Sequence, residues 1–174
     1  MRFQLVPVVV AVVLASGCGG SSNTSSASDW ADNFCSALTT WTSSVKSAAN
    51  SVKGNPSEDG LKSAADDIKS ASDTLVGDLK DLGKPDTKAG QDAKDAVDQL
   101  SGEVEDDAQE MQNAVDKASG AQGVVIAASS VSATLSKMGD QINSAASKLD
   151  DVDPGGELKQ AFQDSSACKS LGSS

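Results

Sequence analysis

The chain has 174 residues, with 14 basic against 25 acidic ones, a net charge of −11, and neither histidine nor tyrosine. One domain of this length can bury a core, but so acidic a surface repels phosphate backbones and argues against nucleic-acid binding by counterion release. The single arginine, Arg2, lies near the amino terminus. The rest of the chain therefore lacks the bidentate fork for carboxylate or phosphate, the near-neutral proton shuttle and the commonest metal ligand.

Residues 1–17 begin with a short basic start and continue into an apolar stretch over residues 5–15, broken once by Pro7. About eleven apolar residues are too few for a membrane span, which needs roughly 20, and suit the h-region of a secretory signal peptide. The stretch ends in Ala15-Ser16-Gly17-Cys18, which resembles the lipobox of bacterial lipoproteins. The resemblance implies a Cys18 that is diacylated, with palmitate-type chains, and becomes the new amino terminus. Ala15-x-Gly17 also fits an ordinary signal-peptidase site. Cleavage before Cys18 removes Arg2 and leaves 13 basic against 25 acidic residues, a net charge of −12. Residues 18–27 hold the lipidated cysteine and the flexible tether "GGSSNTSSA", whose nine residues span about 18 Å on average. The folded domain is then expected over residues 28–174.

From there the apolar residues recur at helical spacing. Trp30, Phe34, Leu38, Trp41, Val45, Ala48 and Val52 share one helix face, with Ser28 as the expected cap and Gly54-Asn55-Pro56 as the stop. A second stripe runs Leu61, Ala64, Ile68, Ala71, Leu75, Leu79 and Leu82, closed by Gly83 and Pro85. The third runs from Ala89 through Val97, Leu100, Val104, Ala108 and Met111 to Ala118, with a kink expected near Ser101-Gly102. The fourth runs Val124, Ala128, Val131, Leu135, Met138, Ile142, Ala145, Leu149 and Val152, the cleanest heptad of the four. Abundant alanine and scarce aromatic and β-branched residues favour helix over sheet. Four helices of roughly 23 to 32 residues, about 35–48 Å each, with short loops between them predict an all-α fold. The expected form is an up-down-up-down antiparallel four-helix bundle with a short C-terminal helix carrying Leu158, Phe162 and Cys168. The alternatives are a domain-swapped coiled-coil dimer and a partly open helical array.

Three cysteines are an odd number for an exported protein. With Cys18 lipidated, Cys35 and Cys168 are left to pair, and an up-down topology returns residue 168 to the end where helix 1 begins. The competing chemistry, a thiol nucleophile or a zinc pair, lacks a histidine and a CxxC spacing.

Three further features bear on function. The third helix places Asp92, Asp95, Glu103, Asp106 and Glu110 on one face. Hard cations favour such oxygens, but Ca²⁺ wants six to eight ligands on a turning loop, so a solvated face and no metal site is expected, with weak binding of divalent or polycationic partners as the alternative. Between residues 117 and 137 the stretch "ASGAQGVVIAASSVSATLS" carries no charge. It offers Val124, Val125 and Ile126 as a contact patch for a partner or a second copy, with burial under the loop around residues 55 and 56 as the competing account. Trp30, Phe34, Trp41 and Phe162 fit core packing at the cysteine bridge better than a cofactor box.

"DWADNFCSALTTW" and "GELKQAFQDSSACKSL" resemble the ends of uncharacterised small helical lipoproteins and secreted proteins of high-GC Gram-positive bacteria. That resemblance covers roughly 30 residues beyond the leader and implies an exported location without a particular activity. No triad, paired carboxylate, phosphate loop or metal spacing points to an enzyme or a cofactor. The expectation is a noncatalytic binding or structural module, lipid-anchored on the extracytoplasmic face of the cell membrane. Its expected partner is an envelope protein or a second copy, with no nucleic acid. The alternative is a carrier of a lipid or other small apolar ligand within the bundle.

Overall fold

The computed structural model describes residues 24–54 and 57–172, and these are helical almost throughout. The signal peptide, Cys18, the first part of the tether and the expected stop at Asn55-Pro56 lie outside the described residues. A two-residue strand β1 (Thr24–Ser25) pairs in parallel with β2 (Lys84–Pro85), and the Asp86 amide donates to the Ser25 carbonyl at 2.8 Å. The chain is thus fixed against the turn around residues 84–86 before its first helix begins.

Helix α1 (Ala27–Gly54) starts two residues earlier than the spacing suggested. Ser26 caps it in place of Ser28: its Oγ accepts from the Asp29 amide at 3.2 Å and donates to Asp29 Oδ2 at 2.7 Å, satisfying an amide that the first turn leaves free. In α2 (Glu58–Asp81), Ser57 Oγ accepts from the Gly60 amide at 3.1 Å, and Glu58 and Asp59 sit at the positive end of the helix dipole. Gly83, at φ 62°, ends it in the left-handed conformation that glycine adopts without a Cβ clash. The turn is fixed a second time, because the Trp30 indole N–H donates to the Gly83 carbonyl at 3.2 Å.

Helix α3 (Gly90–Asp116) runs unbroken through Ser101-Gly102. Gly102 does not break it, and the buried Ser101 hydroxyl is satisfied within the helix, donating to the Val97 carbonyl at 2.9 Å. Helix α4 (Gly120–Val152) is the longest, at 33 residues. The single short element expected at the C terminus is two helices, α5 (Glu157–Asp164) and α6 (Ser166–Gly172), broken at Ser165. Asp153 Oδ2 caps the first by accepting from the Leu158 amide at 2.8 Å; Ser165 Oγ caps the second by accepting from the Cys168 amide at 3.2 Å.

The predicted stripes form the core. Trp30, Phe34, Leu38, Leu61, Ile68, Leu75, Leu79, Leu100, Met111, Met138 and Leu149 are all fully buried. Side-chain bonds tie successive helices in falling register. The Trp41 indole N–H donates to Ser72 Oγ at 3.0 Å, the Gln112 amide to Asp66 at 2.8 Å, and the Lys148 ammonium to Gln99 at 2.8 Å. At a second level of each pair Trp30 reaches Gly83, Lys80 donates to Glu105 at 3.3 Å and Lys137 to Asp107 at 2.6 Å, so residue numbers fall on one helix as they rise on the next. Close packing joins α1 to α2, α2 to α3, α3 to α4, and α1 again to α5 and α6. Among the described residues α1 and α4 approach each other much less closely, because α5 and α6 occupy the flank of α1.

Cys35 and Cys168 form a disulfide, with Cα atoms 4.9 Å apart, which holds α6 on the third turn of α1. Around it Trp30 stacks on Phe34 with centroids 5.6 Å apart, and Phe162 meets both edge-on at 6.0 and 5.9 Å. These aromatics are therefore packing elements. Asp32 accepts a hydrogen bond from Ser165, closing the same junction on its polar side.

Candidate functional site

The incomplete meeting of α1 and α4 leaves apolar surface at both ends of the seam. Phe34 and Val52, which mark those ends on α1, are 18 residues or about 27 Å apart along the helix. At the end where the described chain begins there is a cleft of about 350 Å³, lined by Phe34, Leu38 and the disulfide from one side. Ile142 and Ala146 of α4 line the other, Phe162 and Leu171 complete the lining from α5 and α6, and Asn143 and Asp150 stand at its polar margin. Ile142, Phe162 and Leu171 are only half-buried, so the cleft exposes large apolar side chains.

At the opposite end a wider groove of about 510 Å³ is lined by Val52, Leu61, Val124, Val125 and Ala128, with Ser57 and Glu58 beside it. Val125 and Ile126 stand out of this surface, 68 and 62% exposed, and are the exposed large hydrophobic residues among those described. Burial under the loop around residues 55 and 56 would have required them to be covered. Val124, on the main stripe, is half-buried between the helices. The patch faces water without a charge nearby on its own helix: from Gly120 to Ser136, α4 offers Ala, Gly, Ser, Gln and Thr around it.

The acidic face of α3 is a solvated surface. Asp92, Asp95, Asp106 and Glu110 are exposed and Glu103 is half-buried. Asp95 accepts from the Gln91 amide and Glu103 from the Gln99 amide, each at 2.8 Å and one helical turn away. Among the described residues no group of three or more His, Cys, Asp or Glu side chains is arranged to hold a metal ion.

The residue that sequence reasoning passed over is Asp107, which lies off the acidic face. Its side chain is 1% exposed, Oδ1 accepts from the Lys137 ammonium at 2.6 Å, and Oδ2 is buried without a hydrogen-bond partner. Lys137 itself is half-exposed and lies 4.0 Å from Glu110. The hydrogen bond that Lys137 donates to Asp107, followed by the charge of that carboxylate, raises the lysine pKa above the ordinary value. The one available signal was position: Asp107 falls beside Ala108 on the stripe that carries Leu100, Val104 and Met111, where a carboxylate needs a cation from the next helix.

No helix among the described residues is long and apolar enough to cross a membrane. Comparisons of the chain with protein-family models, with curated proteins and with solved structures find no match.

Proposed function

We propose that this chain is a noncatalytic binding module of the cell envelope, tethered through a lipidated Cys18 to the extracytoplasmic face of the membrane, and that it captures a protein partner through Val124, Val125 and Ile126. The observation that carries this is the exposure of Val125 and Ile126 beside an apolar groove, on a helix whose first four turns are uncharged in a chain of net charge −11. Exposed large apolar side chains leave unfavourable surface in water, and a partner that covers them recovers that free energy.

The arrangement underlying this proposal is an up-down-up-down antiparallel bundle, which the falling register of the cross-helix hydrogen bonds supports. In it the groove lies at the end remote from the tether, where a partner meets no bilayer. A disulfide between Cys35 and Cys168 accords with an oxidising, extracytoplasmic location. The odd third cysteine accords with a lipid on Cys18.

Affinity capture from envelope extracts with the native chain, compared with the double variant Val125→Asp and Ile126→Asp, tests the proposal. Both side chains already face water, so the variant should keep its thermal midpoint and lose the captured partner. Equal capture by the two proteins would refute the patch. A second function, carriage of a small apolar ligand, is favoured by the cleft at the disulfide, where Ile142, Phe162 and Leu171 remain half-exposed.

A further inference from the structure

We infer that the cleft between the early turns of α1 and the late turns of α4 takes the acyl chain of a single-chain lipid with an uncharged head group, drawn from the membrane to which the chain is tethered. This deepens the carrier function and rests on the proposed lipid at Cys18 for the source of its ligand.

The lining fits a hydrocarbon chain. Phe34 and Leu38 of α1, the Cys35–Cys168 disulfide, Phe162 of α5 and Leu171 of α6 line it together with Ile142 of α4. At about 25 cal/mol per Å², apolar surface of this kind is stabilised by any hydrocarbon that displaces water from it. The volume, about 350 Å³, lies near the lower end of ligand clefts, which run from about 300 to 1,000 Å³. It suits one chain rather than the pair on a bilayer phospholipid.

Charge selects the head group. No Lys or Arg lines the cleft, its margin carries Asn143 and Asp150, and the Asp150 carboxylate is already held by Lys159 at 2.9 Å. A carboxylate or phosphate head would meet no Lys or Arg in this lining, in a chain of strongly negative net charge. The Asn143 amide, which is exposed, can both donate to and accept from a hydroxyl. A glycerol head is therefore matched, and a free fatty acid is not.

Position selects the source. The described chain enters at Thr24–Ser25, pinned to Lys84–Pro85, and reaches Phe34 two turns into α1. Thr24 lies six positions beyond Cys18, a reach of about 20 Å when extended. A lipid on Cys18 thus keeps this cleft within one tether length of the bilayer, whereas the Val125–Ile126 patch lies at the other end of the seam.

Photocrosslinking of the full-length chain in its own membranes tests the inference. The probes are a 1-monoacylglycerol with a diazirine midway along its acyl chain and a diazirine fatty acid of the same length. The monoacylglycerol should label peptides carrying Phe34, Leu38, Ile142 or Phe162, with less label from the fatty acid. Ala146→Trp, which places an indole in the cleft, should remove the label, and Ile142→Asn should weaken it; circular dichroism and the mass of the disulfide-linked peptide check both folds. Label confined to Val125 and Ile126, spread evenly over the chain, or unchanged in both variants would overturn the assignment. Equal labelling by the fatty acid would overturn the uncharged head group. If Cys18 carries no lipid and the protein is recovered from the medium, the same probes in micelles separate the two ideas. Cleft label there supports the cleft and overturns the tether, and its absence overturns the cleft.

Discussion

Replacing Cys35 and Cys168 together with alanine isolates the contribution of the staple. The bridge joins residues 133 apart, so on the chain-entropy account it removes about 5 kcal/mol of freedom from the unfolded ensemble. Cys35 is buried against α6 and the aromatic trio, and truncating a thiol to a methyl there leaves only a small void. The expected loss is therefore about 4–5 kcal/mol, dominated by the unfolded state, or a fall of about 10–20 °C in Tm for a chain of this size. Urea unfolding followed by Trp30 and Trp41 fluorescence gives the number, with the reduced wild-type protein as a second route to the same state. Removing a cross-link also lets the unfolded chain expand, so the m-value should rise in the variant and in the reduced protein alike. A loss below about 1 kcal/mol with an unchanged m-value would refute the reasoning. It would mean that α5 and α6 hold themselves on α1 through Leu158, Phe162 and the Ser165–Asp32 bond, and that the covalent link adds little.

Other expectations are local. Gly102→Ala should raise stability by roughly 0.5–1 kcal/mol in thermal unfolding, since a Cβ there meets nothing within 4 Å and glycine is a poor residue inside a helix. Gly90→Ala should do the reverse, by about 1–3 kcal/mol, because its Cβ would fall 2.2 Å from the Pro85 carbonyl oxygen and push the β2 turn off α3. Lys137→Met should lower the urea midpoint at neutral pH by leaving the buried Asp107 carboxylate without its cation. The lysine pKa is raised in the folded state, so the pair's contribution is complete below the ordinary lysine value of 10.5 and is lost as pH rises through the raised one. Wild type and variant should therefore converge in stability above that pH, and a constant gap would show that packing rather than charge separates them.

Periodicity located the helices because burial selects one face of each, and the sequence carries that selection as spacings of three and four. Trp30 to Trp41 and Leu61 to Leu79 are buried as the spacing requires. Helix starts were less visible, since Ser25, Ser26 and Ser28 are all good caps by composition. Which one serves is decided by the pairing of Thr24–Ser25 with Lys84–Pro85, 60 residues away in sequence. The cysteine pairing followed from counting and topology. The patch at Val125 and Ile126 followed from a missing charge. Asp107 did not follow from anything local: its burial depends on Lys137 reaching across from α4, and neither residue alone differs from its solvated neighbours.

The fourth stripe shows why pattern strength does not predict burial. By spacing it is the most regular in the chain, yet Val124, Ala128, Leu135 and Ile142 remain half-buried while every residue of the third stripe from Ala89 to Ala118 is buried. The cause lies in helices at the far end of the sequence. Helix α3 packs between α2 and α4, but the flank of α1 that a closed bundle would give to α4 is taken up by α5 and α6, drawn there by the bridge and by Phe162. An apolar stripe thus meets a partner on one side only. Its uncovered side becomes the cleft at Ile142, beside α5 and α6, and the groove at Val124, where neither of them reaches. Sequence patterning records that α4 has a face to bury. It does not record that the space opposite its late turns, at the start of α1, is already occupied, and that occupation is what leaves Ile142 at the wall of an apolar cleft.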